Sequence, residues 1–333
     1  MRVRITQIDG KLPNVALMKL SHWHKAQGDE VFVTRNIDGP DLFEQPYDRV
    51  YGSAIFTCFG MERLDRFQKA WPQALVGGTG TFSTQTVEQV IGLGEYEHLD
   101  YEGWPDFEHS IGFSQRGCRL KCKFCVVPAK EGKNRSVNSI KAIWRGGDHP
   151  KNILLLDNDF FGQHEWRDRV TEIRDGNYRV CFSQGINIRL IDDAAAEALA
   201  TIKYRDTKFT CSRLYTAWDN IRDERVFFNG VDRLERYGVP PRNLMAYMLV
   251  GYDPLETWER LWHRFNAMVA RGIKPYVMVY QQTRKDLKRF QRWANMGLYR
   301  IVPFDQYDAG FKTSKQIGVA ASRPVELPLM QRC

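Results

Sequence analysis

Three cysteines, Cys118, Cys122 and Cys125, stand at the spacing C-x3-C-x2-C within the stretch that runs from Gly112 to Pro128. Thiolate is the soft donor that iron–sulfur clusters require. Separations of four and three residues let one short loop wrap three corners of a four-iron cube. The fourth iron is then left without a protein thiolate, open to a small molecule. Two other readings compete. One is half of a zinc site, but structural zinc takes paired groups of ligands. No second pair follows, and Cys58, Cys181, Cys211 and Cys333 are scattered. The other is three ordinary buried cysteines.

The elements around the loop have to position it. A run at 109–114 reads as a strand leading in, and a polar, glycine-bearing segment at 130–133 leads out. Beyond it, further strands are predicted at 152–156, 178–183, 208–212, 244–250 and 276–280. Helices are predicted at 139–145, 170–174, 194–200, 224–237, 257–271 and 286–295. The run Asn-Ile-Leu-Leu-Leu at 152–156 is continuously apolar, as a doubly covered parallel strand should be. Strand-then-helix repeated in this way is the order of a (βα)6 partial barrel.

Residues 1–94 carry a separate alternation. Strands are predicted at 3–8, 31–34, 48–56 and 74–76, with helices at 13–27 and 61–70. In the first helix Val15, Leu17, Met18, Leu20 and Trp23 recur near a 3.6 period, and Gly28 stops it. The pattern predicts an α/β, doubly wound, Rossmann-like domain. Its ligand-facing loops are the strand carboxyl ends at 9–14, 57–59 and 77–80. The stretch 95–107 is acidic, aromatic and broken by Gly103 and Pro105, and reads as a linker. The expected division is therefore 1–94, a linker at 95–107, a core at 108–306 and a polar tail at 307–333.

The bulk numbers narrow the class. With 333 residues, 43% hydrophobic and 26% charged, the chain is long enough for one large or two medium domains. No apolar run approaches the ~20 residues of a membrane span, so no membrane is expected. The opening residues read as a strand, not as a secretory leader. An odd count of seven cysteines, three of them assigned to one loop, suits a reducing cytoplasm. The net charge of +8 favours an anionic partner, nucleic acid included. No G-x-S-x-G elbow and no H-x-E or H-E-x-x-H pattern appears, which argues against serine hydrolysis and histidine-based metal sites.

With Cys118, Cys122 and Cys125, and the aromatic Phe124 before the last of them, the chain resembles the radical S-adenosylmethionine (SAM) superfamily. The resemblance implies a partial TIM-barrel radical SAM core and a [4Fe-4S] cluster whose open iron chelates SAM. It also implies reductive SAM cleavage to a 5′-deoxyadenosyl radical, and an external flavodoxin- or ferredoxin-type electron donor. Residues 1–94 resemble the cobalamin-binding-like domain of that superfamily and the methylthiotransferase N-terminal domain. The cobalamin motif D-x-H-x-x-G, aligned from Asp9, has Lys11 in the histidine slot and Asn14 in the glycine slot. Ammonium is a poor metal ligand, so cobalamin is not expected.

Polar groups at strand carboxyl ends would line the mouth of such a barrel. The resemblance implies that Asp157 and Asn158, in the slot of the family's G-G-E segment, accept hydrogen bonds from the SAM amino group. Arg189 and Arg213, with Gln184 and Asn187, are the positional candidates for its carboxylate and ribose. Phe124 and residues 248–252 are candidates to pack the adenine. Cys211, Tyr215 and Cys58 are candidates to relay or quench a radical. The methylthiotransferase-like layout and the charge point to a nucleic-acid base or nucleotide as substrate. The alternatives are a peptide or small metabolite, or a non-catalytic electron-relay protein.

Overall fold

The computed structural model describes residues 1–308 except Phe82 and Thr84, and at 57–60 the backbone alone. The tail from 309 onward, and with it Cys333, lies outside the described residues.

Residues 3–7 offer almost nothing to water: Val3, Ile5 and Thr6 are fully buried. They belong to β1 (Arg2–Gln7), which pairs in parallel on one side with β2 (Glu30–Thr34) and on the other with β3 (Arg49–Ser53). Two helices, α1 (Val15–Ala26) and α2 (Thr57–Ala70), carry the chain back between strands. β4 (Leu75–Gly77) adds to β3, so the order is β2-β1-β3-β4, all parallel.

The loops at the strand ends are pinned by short polar side chains. Asn14 caps α1, its Oδ1 accepting from Ala16 N at 3.1 Å and Leu17 N at 3.3 Å. Such a cap contributes about 1 kcal/mol. Its Nδ2 also donates to Ser53 Oγ at 2.8 Å, tying the helix start to the end of β3. Asp9 accepts from Ile55 N at 2.7 Å and Phe56 N at 2.8 Å, which fixes the turn into α2.

A short helix that the sequence pattern did not suggest, α3 (Val87–Ile91), opens with a capping box between Thr86 and Gln89. It leads into the acidic stretch 95–107, whose composition is explained by what it meets on α1. Lys19, only 2% exposed, holds Glu88 at 3.0 Å and Glu97 at 2.6 Å. Asp100 accepts from Ser21 Oγ at 2.6 Å and pairs with Lys25 at 2.9 Å. Trp104 is buried and donates to Gln7 Oε1 at 2.7 Å. The stretch is thus strapped along α1 and the end of β1.

After the strap come β5 (Ser110–Gly112), β6 (Gln115–Arg116), α4 (Val127–Glu131), β7 (Arg135–Ser136), α5 (Ile140–Ile143) and β8 (Asn152–Leu155). β5 and β8 pair in parallel, while β6 and β7 form a two-residue antiparallel ladder. The chain divides into two compact units, one of residues 1–157 with 175–178, the other of 158–174 with 179 onward. The cysteine loop belongs to the first.

The second unit contains α6 (Trp166–Asp175), β9 (Arg179–Phe182), α7 (Asp193–Ala200) and β10 (Lys203–Tyr204), with β9 and β10 parallel. Then follow β11 (Leu214–Ala217), α8 (Glu224–Arg236), β12 (Leu244–Val250), α9 (Trp258–Ala270), β13 (Lys274–Val279) and α10 (Lys285–Asn295). Strands β11, β12 and β13 form a parallel sheet in that order. Arg264 of α9, 1% exposed, ties this sheet together. It donates to the carbonyls of Trp218 at 3.0 Å, Asp219 at 3.1 Å and Leu249 at 3.0 Å, and pairs with Glu256.

The expected α/β class with parallel sheets is what the chain adopts. One expected strand is corrected. Residues 208–212 form a turn, clasped by Asp206, whose carboxylate accepts from Thr210 N at 2.7 Å and Cys211 N at 3.2 Å. Phe209 takes a positive φ of 58° inside it. Local side-chain-to-backbone bonding overrides the strand preference of Phe, Thr and Cys. The strand begins at Leu214 instead. Among the described residues no helix is long and apolar enough to cross a membrane.

Candidate metal centre

The loop that carries the three thiols leaves β6 and returns into β7, so the antiparallel ladder closes its base. Val137 N donates to Ser114 O at 2.9 Å and extends that closure. Gly117 opens the loop at φ +79°, where an added Cβ would lie 2.3 Å from Lys133 O. Only glycine allows the two ends to pass this close. Glu131, at the end of α4, accepts from Gly117 N at 3.0 Å and forms an ion pair with Arg116, Nε to Oε2, at 3.2 Å. Gln115 is buried, and its amide donates to the carbonyls of Arg116 at 2.5 Å and Gly117 at 2.7 Å.

Within this frame Cys118, Cys122 and Cys125 are each half-buried, as is Phe124. Leu120 N points at Cys118 Sγ at 3.4 Å, and N–H groups aimed at sulfur are one of the levers that tune cluster potentials. Cys125 N donates to Cys122 O at 3.0 Å, forming the turn between the second and third thiols. Among the described residues, no three His, Cys, Asp or Glu side chains are gathered closely enough to hold a metal ion. The donor set itself suits iron and sulfide: three soft thiols within eight residues, on a loop pinned at its base.

No protein-family model matches the chain, and no curated protein matches it.

Asp157, just past β8, is 2% exposed and is engaged by the entry to the cysteine loop. Its Oδ1 accepts from Ser114 N at 2.7 Å and Gln115 N at 3.2 Å, and Ser114 Oγ bonds Oδ2. Burial pushes its carboxyl up to about 7, against the pull of these three donors. The acceptor capacity assigned to Asp157 on sequence grounds is thus used inside the fold, to hold the strand that delivers Cys118.

The remaining candidates, Cys58 apart, belong to the second unit. Asn158 is half-buried, and Gln184 is exposed beside Gly185, where the backbone turns at φ +87°. Asn187 is half-buried, and among the described residues its Nδ2 has no hydrogen-bond partner although it is shielded from water. Arg189 pairs with Asp223 at 2.8 Å, so part of its charge is answered within the unit. Arg213 lies ahead of β11 and donates to the carbonyls of Arg242 at 2.9 Å and Leu244 at 3.3 Å. It is therefore at the amino end of the sheet, and the strand-end argument that selected it lapses. The same holds for Cys211, exposed in the Asp206 turn. Tyr215 is buried in β11, its hydroxyl accepting from Thr207 N at 3.3 Å. Met248 is fully buried, while Tyr252 is half-buried with its ring edge-on to Tyr280. The side chain of Cys58 lies outside the described residues.

Sequence reasoning missed Ser114, Glu131 and Arg264. Ser114 and Glu131 become partners of distant groups only when β5 and β8 pair and the loop closes. Arg264 had one available signal: it is an arginine on the apolar face of a predicted helix, between Leu261 and Met268.

Proposed function

We propose that the chain is a radical SAM enzyme that acts on a nucleic-acid base or nucleotide. The observation that carries the reading is the thiol loop: three cysteines at C-x3-C-x2-C, closed at the base by β6 and β7 and held by Asp157 and Glu131. The parallel order β2-β1-β3-β4 supports a Rossmann-like first domain, and the strand–helix alternation that follows supports a (βα)6 partial barrel. Cys118, Cys122 and Cys125 would hold the [4Fe-4S] cluster. When bound, that cluster and SAM supply a carbon-centred radical able to abstract hydrogen, given one electron from a flavodoxin- or ferredoxin-type donor.

The chain's own residues have separate tasks. Asp157 and Gln115 fix the path of the chain into Cys118. Asn158, Gln184 and Asn187 offer neutral amide donors and acceptors suited to a zwitterionic amino acid and a ribose. Arg189, shared with Asp223, offers a cation for a carboxylate. Lys11, exposed in the loop after β1, replaces the histidine that cobalt ligation would need. The reading therefore assigns the first domain a role without cobalamin.

Anaerobic reconstitution with iron and sulfide tests the reading, followed by electron paramagnetic resonance with and without SAM. The expected outcome is a four-iron signal that SAM perturbs, and reductant-dependent release of 5′-deoxyadenosine. Uptake of zinc in preference to iron, or a reconstituted cluster that never cleaves SAM, overturns it.

A further inference from the structure

Parallel sheets are normally covered on both faces. In the sheet of β11, β12 and β13 the strands β11 and β12 are buried on both faces, Tyr215 being 6% exposed and the Tyr247 hydroxyl donating to Ser183 O at 2.7 Å, while among the described residues the edge strand β13 is exposed on one face. Leu244, Ala246, Met248 and Val250 of β12, with Val277 of β13, are fully buried on the side where α9 and α10 pack. The opposite side carries a line of tyrosines. Tyr215 stacks on Tyr247, with ring centroids 5.8 Å apart and planes 15° from parallel. Tyr247 faces Tyr276 directly across the ladder, edge to face at 5.8 Å. Along β13 this face continues as Tyr276, Met278 and, just past the strand, Tyr280, which are 38%, 45% and 52% exposed. Among the described residues these three side chains make an exposed row on the edge strand, and large apolar side chains exposed in a row are uncommon without a ligand to cover them.

Cations gather at the amino end of the same sheet. Lys274 opens β13 and pairs in register with Met245. Arg213, just ahead of β11, reaches the carbonyl of the adjacent Leu244. Burial, then the nearness of Arg213 and Arg300, lowers the pKa of Lys274. Among the described residues, none of these three cations has a carboxylate partner. Uncompensated positive charge beside exposed aromatic rings is complementary to phosphate beside bases.

The edge of the sheet excludes a different occupant. Asn295 of α10 accepts from Val277 N at 2.7 Å and donates to Val277 O at 3.0 Å. Tyr280 N bonds inward to Val250 O, so by alternation the outward N–H positions of β13 are the odd ones. One of these is Pro275, which has no N–H to offer. An added peptide strand would find this edge closed, whereas a ligand that uses the rings finds Tyr276 and Tyr280 exposed among the described residues.

We propose that this face binds single-stranded nucleic acid, with bases stacked on Tyr276 and Tyr280 and phosphates met by Lys274, Arg213 and Arg300. The inference deepens the nucleotide-directed reading above, by naming the form of the substrate and the surface that takes it. Duplexes hide the base faces that such a platform reads.

The test uses the full chain without cluster or SAM, titrated with a fluorescein-labelled single-stranded RNA of about twelve nucleotides and with the same RNA as a duplex. Tight binding of the single strand is expected, with log K falling by roughly 0.7 per phosphate contact against log salt. Tyr276→Ala and Tyr280→Ala should each weaken it by roughly 5- to 150-fold, and Tyr276→Phe should bind nearly as wild type. Lys274→Gln and Arg300→Gln should flatten the salt slope. If Tyr276→Ala fails to fold, Tyr276→Leu keeps the apolar bulk and removes the ring. Equal binding of duplex and single strand, wild-type affinity in the tyrosine variants, or no binding at low salt overturns the inference. Release of 5′-deoxyadenosine is measured separately. Cleavage of SAM without RNA binding removes this inference alone, and RNA binding without cleavage removes the enzymatic reading alone.

Discussion

The carboxylate of Asp157 receives the backbone N–H of Ser114 at 2.7 Å, and the hydroxyl of the same serine bonds its other oxygen, across 43 residues of sequence. This pairing joins the end of β8 to the strand end that enters the cysteine loop. Two outcomes follow from it.

Asp157→Ala removes the buried carboxylate to which the N–H groups of Ser114 and Gln115 donate. The expected loss is about 3 kcal/mol in denaturant unfolding, together with reduced iron uptake. Asp157→Asn should be far milder. Its Oδ1 can accept from both N–H groups, while its Nδ2 donates to Ser114 Oγ, which turns to accept.

The pH dependence separates these variants further. The carboxyl of Asp157 is raised from 3.8 to about 7, so the folded chain holds its proton more tightly than the unfolded chain does. That stabilising contribution is complete below the unfolded value and is lost as pH rises through about 7. Unfolding of the apo-protein between pH 4 and 8 should therefore show stability falling with pH in wild type, and a flatter profile in Asp157→Asn. A wild-type curve that rises across this window contradicts the assignment.

Gly117→Ala places a Cβ against Lys133 O in a left-handed backbone conformation. The expected result is separation of β6 from β7 and loss of most reconstituted iron, with the first sheet left intact. Iron and sulfide content beside far-ultraviolet circular dichroism reads both. Cys118→Ala, Cys122→Ala and Cys125→Ala should each lose the cluster, while Cys181→Ala and Cys211→Ala keep it.

Arg264→Ala leaves three carbonyls and the Glu256 carboxylate without their buried cation. Breaking a buried pair in this way costs about 3–5 kcal/mol. Lys19→Ala should cost somewhat less, because the partners Glu88 and Glu97 are 27% and 19% exposed and retain some water. Thermal melts of the two variants compare them directly.

The parts of the fold that could be read from sequence are those set by local chemistry. Asn14, Asp192 and Thr257 cap the helices whose starts the pattern marked. The apolar runs at 152–156 and 244–250 became strands buried at every position or at alternate ones. The turn at 206–211 was misread because one carboxylate, Asp206, decides it, and strand preference carries no trace of that. The acidic stretch 95–107 looked like a linker because its partners, Lys19 and Lys25, lie some 75 residues away in sequence. The thiol loop was plain from spacing alone, but its supports were not. Ser114, Asp157 and Glu131 acquire their meaning from the pairing of β5 with β8 and from closure of the loop.

Asn295 has an effect beyond the sheet it borders. A strand rich in tyrosine and methionine at the rim of a parallel sheet would ordinarily recruit the same strand from a neighbouring molecule, and at high concentration that ends in precipitate. With an amide from α10 already in the slot and a proline beside it, the chain can keep that rim bare without polymerising. Asn295→Ala should turn a clear concentrated solution into one that scatters light.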